Sequence, residues 1–202
     1  MRVNTIRLRV ILGLAGMLLP WIVAILVGYI PDSISATWYT NACTVFMIIL
    51  GSASILLMCY RGYDRMDDIT LTLAGVFGLG ICLFPCNNGS ISGPVGTFNI
   101  DIVVSGYIHG ICAVIFFALL AYNSIFLFTK GDGNPTRNKK IRNIIYIVSG
   151  IGMIGSFTLL LLPDFRIKIW LVETIALFFF GLSFLTKADV FPFLFCDTPY
   201  KD

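Results

Sequence analysis

IVVSGYIHGICAVIFFALLAYNSIFLF, residues 102–128, is apolar almost from end to end and contains no Asp, Glu, Lys or Arg. As an α-helix rising ~1.5 Å per residue it would be about 40 Å long, more than the ~30 Å hydrocarbon core of a bilayer. Five further stretches of the same character accompany it: Ile11–Ile30, Asn41–Tyr60, Ile69–Pro85, Ile144–Leu162 and Ile167–Leu185. The links between them are short. The predicted fold is therefore all-α, a polytopic transmembrane bundle of six helices forming one domain over residues 1–202.

Composition agrees with that count. Hydrophobic residues make up 57% of the chain and charged residues 12%, with a mean hydropathy of +0.90. Soluble domains carry about 25% charged residues. Six spans use most of the sequence and leave no room for a second domain.

The net charge of +3 is explained by where it falls. Of the 14 Lys and Arg residues, only Arg166 and Lys168 lie in the first, third or fifth link. The other twelve lie in the N-terminal segment, the second and fourth links and the tail. The positive-inside rule then predicts a multi-pass protein of the cell membrane with both termini cytoplasmic. Topology accounts for these charges, so no nucleic-acid partner is expected. Arg2, Arg7 and Arg9 before the first span resemble a secretory n-region. That run continues to Ile30 without an A-x-A-like site, which reads as a retained signal anchor with Pro20 inside the helix.

The cysteines are Cys43, Cys59, Cys82, Cys86, Cys112 and Cys196. They form no C-x-x-C pair and no zinc-ligand spacing. Cys43 and Cys86 sit near the ends of spans two and three on the outer side, where a disulfide between them is conceivable; Cys196 falls on the reducing side. A bis-histidine haem is excluded because His109 is the only histidine, and a retinal Schiff base because no lysine lies at membrane depth. No metal and no cofactor are expected.

Small residues recur one turn apart at Gly106 and Gly110, Ala74 and Gly78, and Gly152 and Ser156. Such pairs let helix backbones approach closely in lipid. They predict packing within the chain and also suit a homo-oligomer. Trp38, Tyr39 and Trp170 fit an interfacial aromatic belt. CNNGSISGPVGTFNID, residues 86–101, is expected to be an ordered, turn-rich outer loop, KGDGNPTRNKK a solvated turn, and Phe191–Phe195 a tail folded onto the inner interface.

The polar residues within the spans are the sharper evidence. His109 and Glu173 each lie roughly 10 Å below the outer surface at ~1.5 Å per helical residue. Ionisable groups at such depth are costly, face the bundle interior and pair with one another. Ser105 and Cys112 share the His109 face through i+4 and i+3 spacings. Asp101 stands at the mouth of that span, and Asp32, Ser33 and Ser35 in the first outer link. The expected ligand-binding residues are His109, Glu173, Asp101, Ser105, Cys112 and Asp32. Two plainer roles compete with a site: His109 as a helix-packing hydrogen-bond donor, and Glu173 snorkelling toward the interface beside Lys168 and Trp170.

YIPDSIS (29–35), TWYTN (37–41), VFMIILGSASILL, RGYDRMDD (61–68), GLGICLFPC and IHGICAVIFFALLAY together resemble an uncharacterised group of bacterial multispan proteins. More distantly, the His109, Ala113, Phe116 and Phe117 pattern resembles the DRAM/Frag-like membrane proteins. The resemblance covers spans one to four and implies a six-span bundle without supplying a reaction. The CREST-type membrane hydrolases share Ser, Asp and His, but their metal site needs several histidines and a seventh span, both lacking here. Three classes fit: binding of a lipid or small amphipathic ligand in an outward-facing polar pocket, with membrane lipids as partners; a membrane-embedded lipid-modifying hydrolase; and a proton-coupled transporter.

Cysteine-accessibility labelling of intact cells tests the predicted topology. A cysteine at position 90 is expected to react with an impermeant reagent and one at position 134 to be protected; the reverse pattern would invert the protein.

Overall fold

The computed structural model describes residues 5–89, 91–131, 136–163 and 166–191. Six α-helices dominate it: α1 Thr5–Val27, α2 Cys43–Met58, α3 Arg65–Leu83, α4 Ile102–Tyr122, α5 Arg137–Gly155 and α6 Lys168–Lys187. Five of the helical segments are long and apolar enough to cross a membrane. The exception is α2, whose 16 residues rise only about 24 Å. It starts two residues later and ends two earlier than Asn41–Tyr60, because both flanks are tied down: Asn41 Nδ2 donates to the Leu26 carbonyl, and the Tyr60 hydroxyl accepts from Arg9 Nε. The chain is a multi-pass integral membrane protein with an all-α bundle.

Each helix packs on its sequence neighbours, and α6 returns to pack along α1, so the six close into a ring. The short links make consecutive helices antiparallel. The starts of α1, α3 and α5 and the ends of α2, α4 and α6 therefore share one end, which carries Arg9, Lys130, Lys139, Arg142 and Lys187. This is the basic end. Lipid offers no hydrophobic drive between helices, so close backbone approach has to hold the ring together. A Cβ on Gly16 of α1 would collide with the Phe180 ring of α6, and one on Gly181 with the Gly13 carbonyl at 2.6 Å. On α3, a Cβ at Gly75 would strike the Ser54 carbonyl of α2 and one at Gly78 the Ser54 hydroxyl. At Gly152 of α5 the obstacle is the Phe179 ring of α6.

Packing at the Gly106–Gly110 pair differs from the expectation. Gly106 abuts Asn87 of the third link rather than a helix, and a Cβ on Gly110 would meet nothing within 4 Å. Gly106 meets a link and Gly110 open space, so this G-x-x-x-G does not join two helices. Cys43 and Cys86 are free thiols. The third link folds into a two-residue antiparallel ladder, β1 Pro94–Val95 on β2 Ile100–Asp101, with Gly93 and Gly96 at φ +97° and +73°. Cys196 and most of the Phe191–Phe195 tail lie outside the described residues.

Polar side chains pin the basic end. RGYDRMDD turns α2 into α3 through a capping box: Asp64 accepts from the Met66 and Asp67 amides, and Asp67 accepts from the Asp64 amide. Lys130 Nζ, at the end of α4, donates to Asp64 Oδ2 at 2.6 Å. Arg9 of α1 reaches the Lys187 carbonyl at 3.0 Å, while Lys187 Nζ donates to Phe128 O and lies 5.1 Å from the Phe128 ring centroid. At the end of α4 a π turn, Asn123–Leu127, brings Ser124 within 2.7 Å of Ser183 on α6.

Gly75→Leu should lower the melting temperature in detergent, overpacking costing roughly 1–3 kcal/mol, whereas Gly51→Ala, where a Cβ meets nothing within 4 Å, should not. Equal melting curves would place the α2–α3 contact elsewhere. The Lys130 ammonium, with the Asp67 and Met66 amides, holds the Asp64 carboxyl below the usual carboxylate range. A depressed carboxylate stabilises fully above its unfolded value of about 3.9 and loses that contribution as pH falls through the lower folded value. Melting temperature should therefore drop in that acid window, and Asp64→Asn should flatten the drop; an unaltered acid limb would show that the Lys130 contact contributes nothing.

Candidate functional site

The first link, between α1 and α2, is strapped onto the start of α6. The Trp170 amide, one of the orphan donors of the first turn of α6, donates to the Asp32 carbonyl at 3.0 Å. Arg166 donates to Ile30 O at 3.2 Å, and its guanidinium lies 3.8 Å from the Asp32 carboxylate. One turn further along α6, Glu173 receives the link directly. Its Oε1 accepts from Ser35 Oγ at 2.9 Å and from Ser33 Oγ at 3.4 Å, and its Oε2 accepts from the Ile34 amide. That amide opens the short 3-10 helix Ser35–Tyr39, so Glu173 acts as its capping anion.

A second cluster closes the end of α3. A helix terminus leaves carbonyls without intrahelical partners. Here three successive ones, Phe84, Pro85 and Cys86, accept from His109 Nδ1, Ser105 Oγ and Tyr39 Oη, each at 2.8 Å. The Phe84 carbonyl can only accept, so Nδ1 of His109 carries a proton and donates it to this bond. The i+4 spacing of Ser105 and His109 thus matches two consecutive carbonyls of the neighbouring strand of chain.

Between the two clusters lies a cavity of about 500 Å³. It sits inside the ring at the end opposite the basic one, with walls from α1, α2, α3, α4 and α6 and from the 3-10 turn Ser156–Leu161 that ends α5. Its deeper walls are apolar and aromatic, with Phe46, Phe116, Phe117 and Phe157 prominent. Its polar wall holds Asp32, Ser33, Ser35, His109, Glu173 and the Cys86–Asn88 segment. The helices on either side of it, α4 and α6, touch little along their length.

No family model, curated protein or solved structure matches the chain. The site must be read from its own geometry.

His109, Glu173 and Asp32 share the cavity, but His109 and Glu173 keep separate hydrogen-bond partners. The other three expected residues sit elsewhere. Asp101 caps α4 by accepting from the Val103 amide at 2.9 Å. Ser105 is spent on Pro85, and the Cys112 thiol lies against Gly80 of α3, 2.6 Å from where a Cβ would stand. These placements leave neither Ser105 nor Cys112 presented to His109 as a nucleophile. Among the described residues, no three of His, Cys, Asp and Glu gather as metal ligands. Lys168 does not accompany Glu173 either; its ammonium donates to the Leu160 and Leu162 carbonyls.

Two components of the cavity are not legible in the sequence. The aromatic floor is ordinary span composition and has no signal of its own. The Cys86-Asn87-Asn88 wall did have one, a polar run immediately after a span, but it reads equally as a solvated turn. Burial, with the Glu173 carboxylate nearby, pushes the Cys86 thiol up to about 12. It is therefore a protonated wall residue and not a reactive one.

Glu173→Ala would leave the Ser33, Ser35 and Ile34 donors without their acceptor, each costing about 1–3 kcal/mol if still buried. The variant should melt well below the parent, with faster amide exchange at Ile34. Ser35→Ala removes one of the three bonds and should cost roughly a third as much. Unchanged exchange at Ile34 in Glu173→Ala would show that the link is held by other contacts.

Proposed function

We propose that the protein binds a lipid or a small amphipathic molecule in this cavity, and that the cavity faces outward from a cell membrane with both termini cytoplasmic. The observation that carries the reading is the division of one partly open cavity into an aromatic, apolar depth and a single polar wall. Ligand sites are typically concave, about 300–1,000 Å³, mainly apolar and equipped with a few fixed polar groups. A cavity of about 500 Å³ with Glu173 and His109 on one side meets that description. The orientation rests on the basic end, which the positive-inside rule puts in the cytoplasm. The resemblance to uncharacterised bacterial multispan proteins adds a bundle of the same span number and no reaction.

Both ionisable residues are held before any ligand arrives. Glu173 is fixed by the first link and His109 by the end of α3. Such preorganisation lowers the ordering cost of binding. It also places the link Ser33–Ser35 where a headgroup would be sensed.

Purification in a mild detergent followed by native mass spectrometry and lipid extraction tests the reading. A retained amphiphile at about one per chain, displaced by Phe117→Trp filling the cavity, is the expected result. A preparation that binds no added or copurified amphiphile would remove it.

A further inference from the structure

Glu173 is a half-buried carboxylate on the cavity wall whose hydrogen bonds, among the described residues, come from neutral donors, the hydroxyls of Ser33 and Ser35 and the Ile34 amide. Buried charges are normally paired. The basic residues nearest to it along the chain are engaged elsewhere: Lys168 with two carbonyls, and Arg166, just before α6, with Ile30 O and the exposed Asp32 carboxylate. Among the described residues no Lys or Arg lines the cavity, whereas the Glu173 carboxylate does, together with the exposed carboxylate of Asp32 that faces Arg166. The cavity is therefore electronegative at its polar wall and aromatic below it, and both features attract a cation.

Its shape limits what else can enter. Along α4 the lining runs from Gly106 to Phe117, about 16 Å at ~1.5 Å per residue. Spread over that length, a volume of about 500 Å³ averages roughly 30 Å² in section, or about 5.5 Å across. Carbon atoms pack at about 3.5–4.0 Å, so an extended alkyl chain fits along this length. There is also a way in from the lipid. Gly110 is exposed with nothing near its Cβ position, and the lining residues Val114, Leu160 and Ile169 are 56%, 43% and 51% exposed. These residues frame a slot between α4 and the stretch from the end of α5 to the start of α6.

We propose that the cavity takes an amphiphile with a positively charged amine or ammonium headgroup, an alkyl chain entering through the slot beside Gly110 and the headgroup supplying the cation that Glu173 lacks. The inference rests on the amphiphile-binding reading and adds to it the charge and the route. Lipid tails outside are as apolar as the cavity, so moving the chain inward gains little. Selection falls to the headgroup. An anionic amphiphile of equal chain length meets the Glu173 carboxylate and is disfavoured.

The test uses the full chain in nanodiscs of zwitterionic lipid, with radiolabelled dodecyltrimethylammonium as probe and laurate and dodecyl maltoside as competitors. The cation is expected to bind saturably, at about one per chain, and at least tenfold more tightly than laurate. Glu173→Gln should abolish that preference. Because Glu173 also holds the first link, Gly110→Phe provides a second variant; it should fill the slot and cut binding at least tenfold while the melting temperature stays at the parental value. Laurate binding as well as the cation would overturn the charge assignment and leave amphiphile binding standing. Parental affinity in Gly110→Phe would overturn the slot. If none of the three amphiphiles binds, both this inference and the reading beneath it fail.

Discussion

A bilayer gives helices no hydrophobic reason to associate, and the rest of this structure follows from how the chain meets that constraint. Contact has to come from dispersion between closely approaching backbones and from hydrogen bonds that lipid cannot compete for. Glycines supply the first. Those of α1 and α6 interlock at Gly13, Gly16 and Gly181, so the last helix returns to the first and the ring closes. Were these positions larger, the six helices could still span, but the space inside the ring would no longer be fixed.

Hydrogen bonds supply the second, and they are distributed unevenly between the two ends. At the basic end Arg9, Tyr60, Asp64, Lys130 and Lys187 join five helices, with Phe128, Tyr146 and Phe184 filling the space beneath. That end is closed. At the other end the side-chain bonds run outward from helices to links: Glu173 to the first link, and His109 and Ser105 to the exit of α3. Using polar groups to fix the links leaves the helices there apart, and the cavity is the result. The same residues that would recognise a ligand are thus also structural, which ties recognition to the conformation of the first link.

His109 shows how the two roles combine in one side chain. Its Nδ1 satisfies an orphan helix-terminal carbonyl, the packing role the sequence allowed for. That bond sets the ring orientation while the residue still borders the cavity. Glu173 departs from its plainer alternative more clearly. Instead of snorkelling beside Lys168 it is held by three donors of another segment, while Lys168 turns toward the carbonyls at the end of the 3-10 turn Ser156–Leu161.

The sequence by itself determined the solvent, the number of helices, their alternation and the sorting of charge to one end. These are properties of local composition and length, and the helices obey them individually. It also marked His109 and Glu173, because an ionisable residue in an apolar run is visible without knowing its neighbours. Only the tertiary structure decided what those residues touch. Ser105 and Cys112 share a helical face with His109, yet one is spent on Pro85 and the other packs at Gly80, since a face is set by periodicity but its partner by which helix lies opposite. The G-x-x-x-G of α4 reads like the small-residue pairs of α3 and α5, but its Gly106 meets Asn87 of the third link and its Gly110 meets nothing within 4 Å, because no helix lies opposite them. A cavity is a gap between elements distant in sequence, and no local pattern encodes a gap.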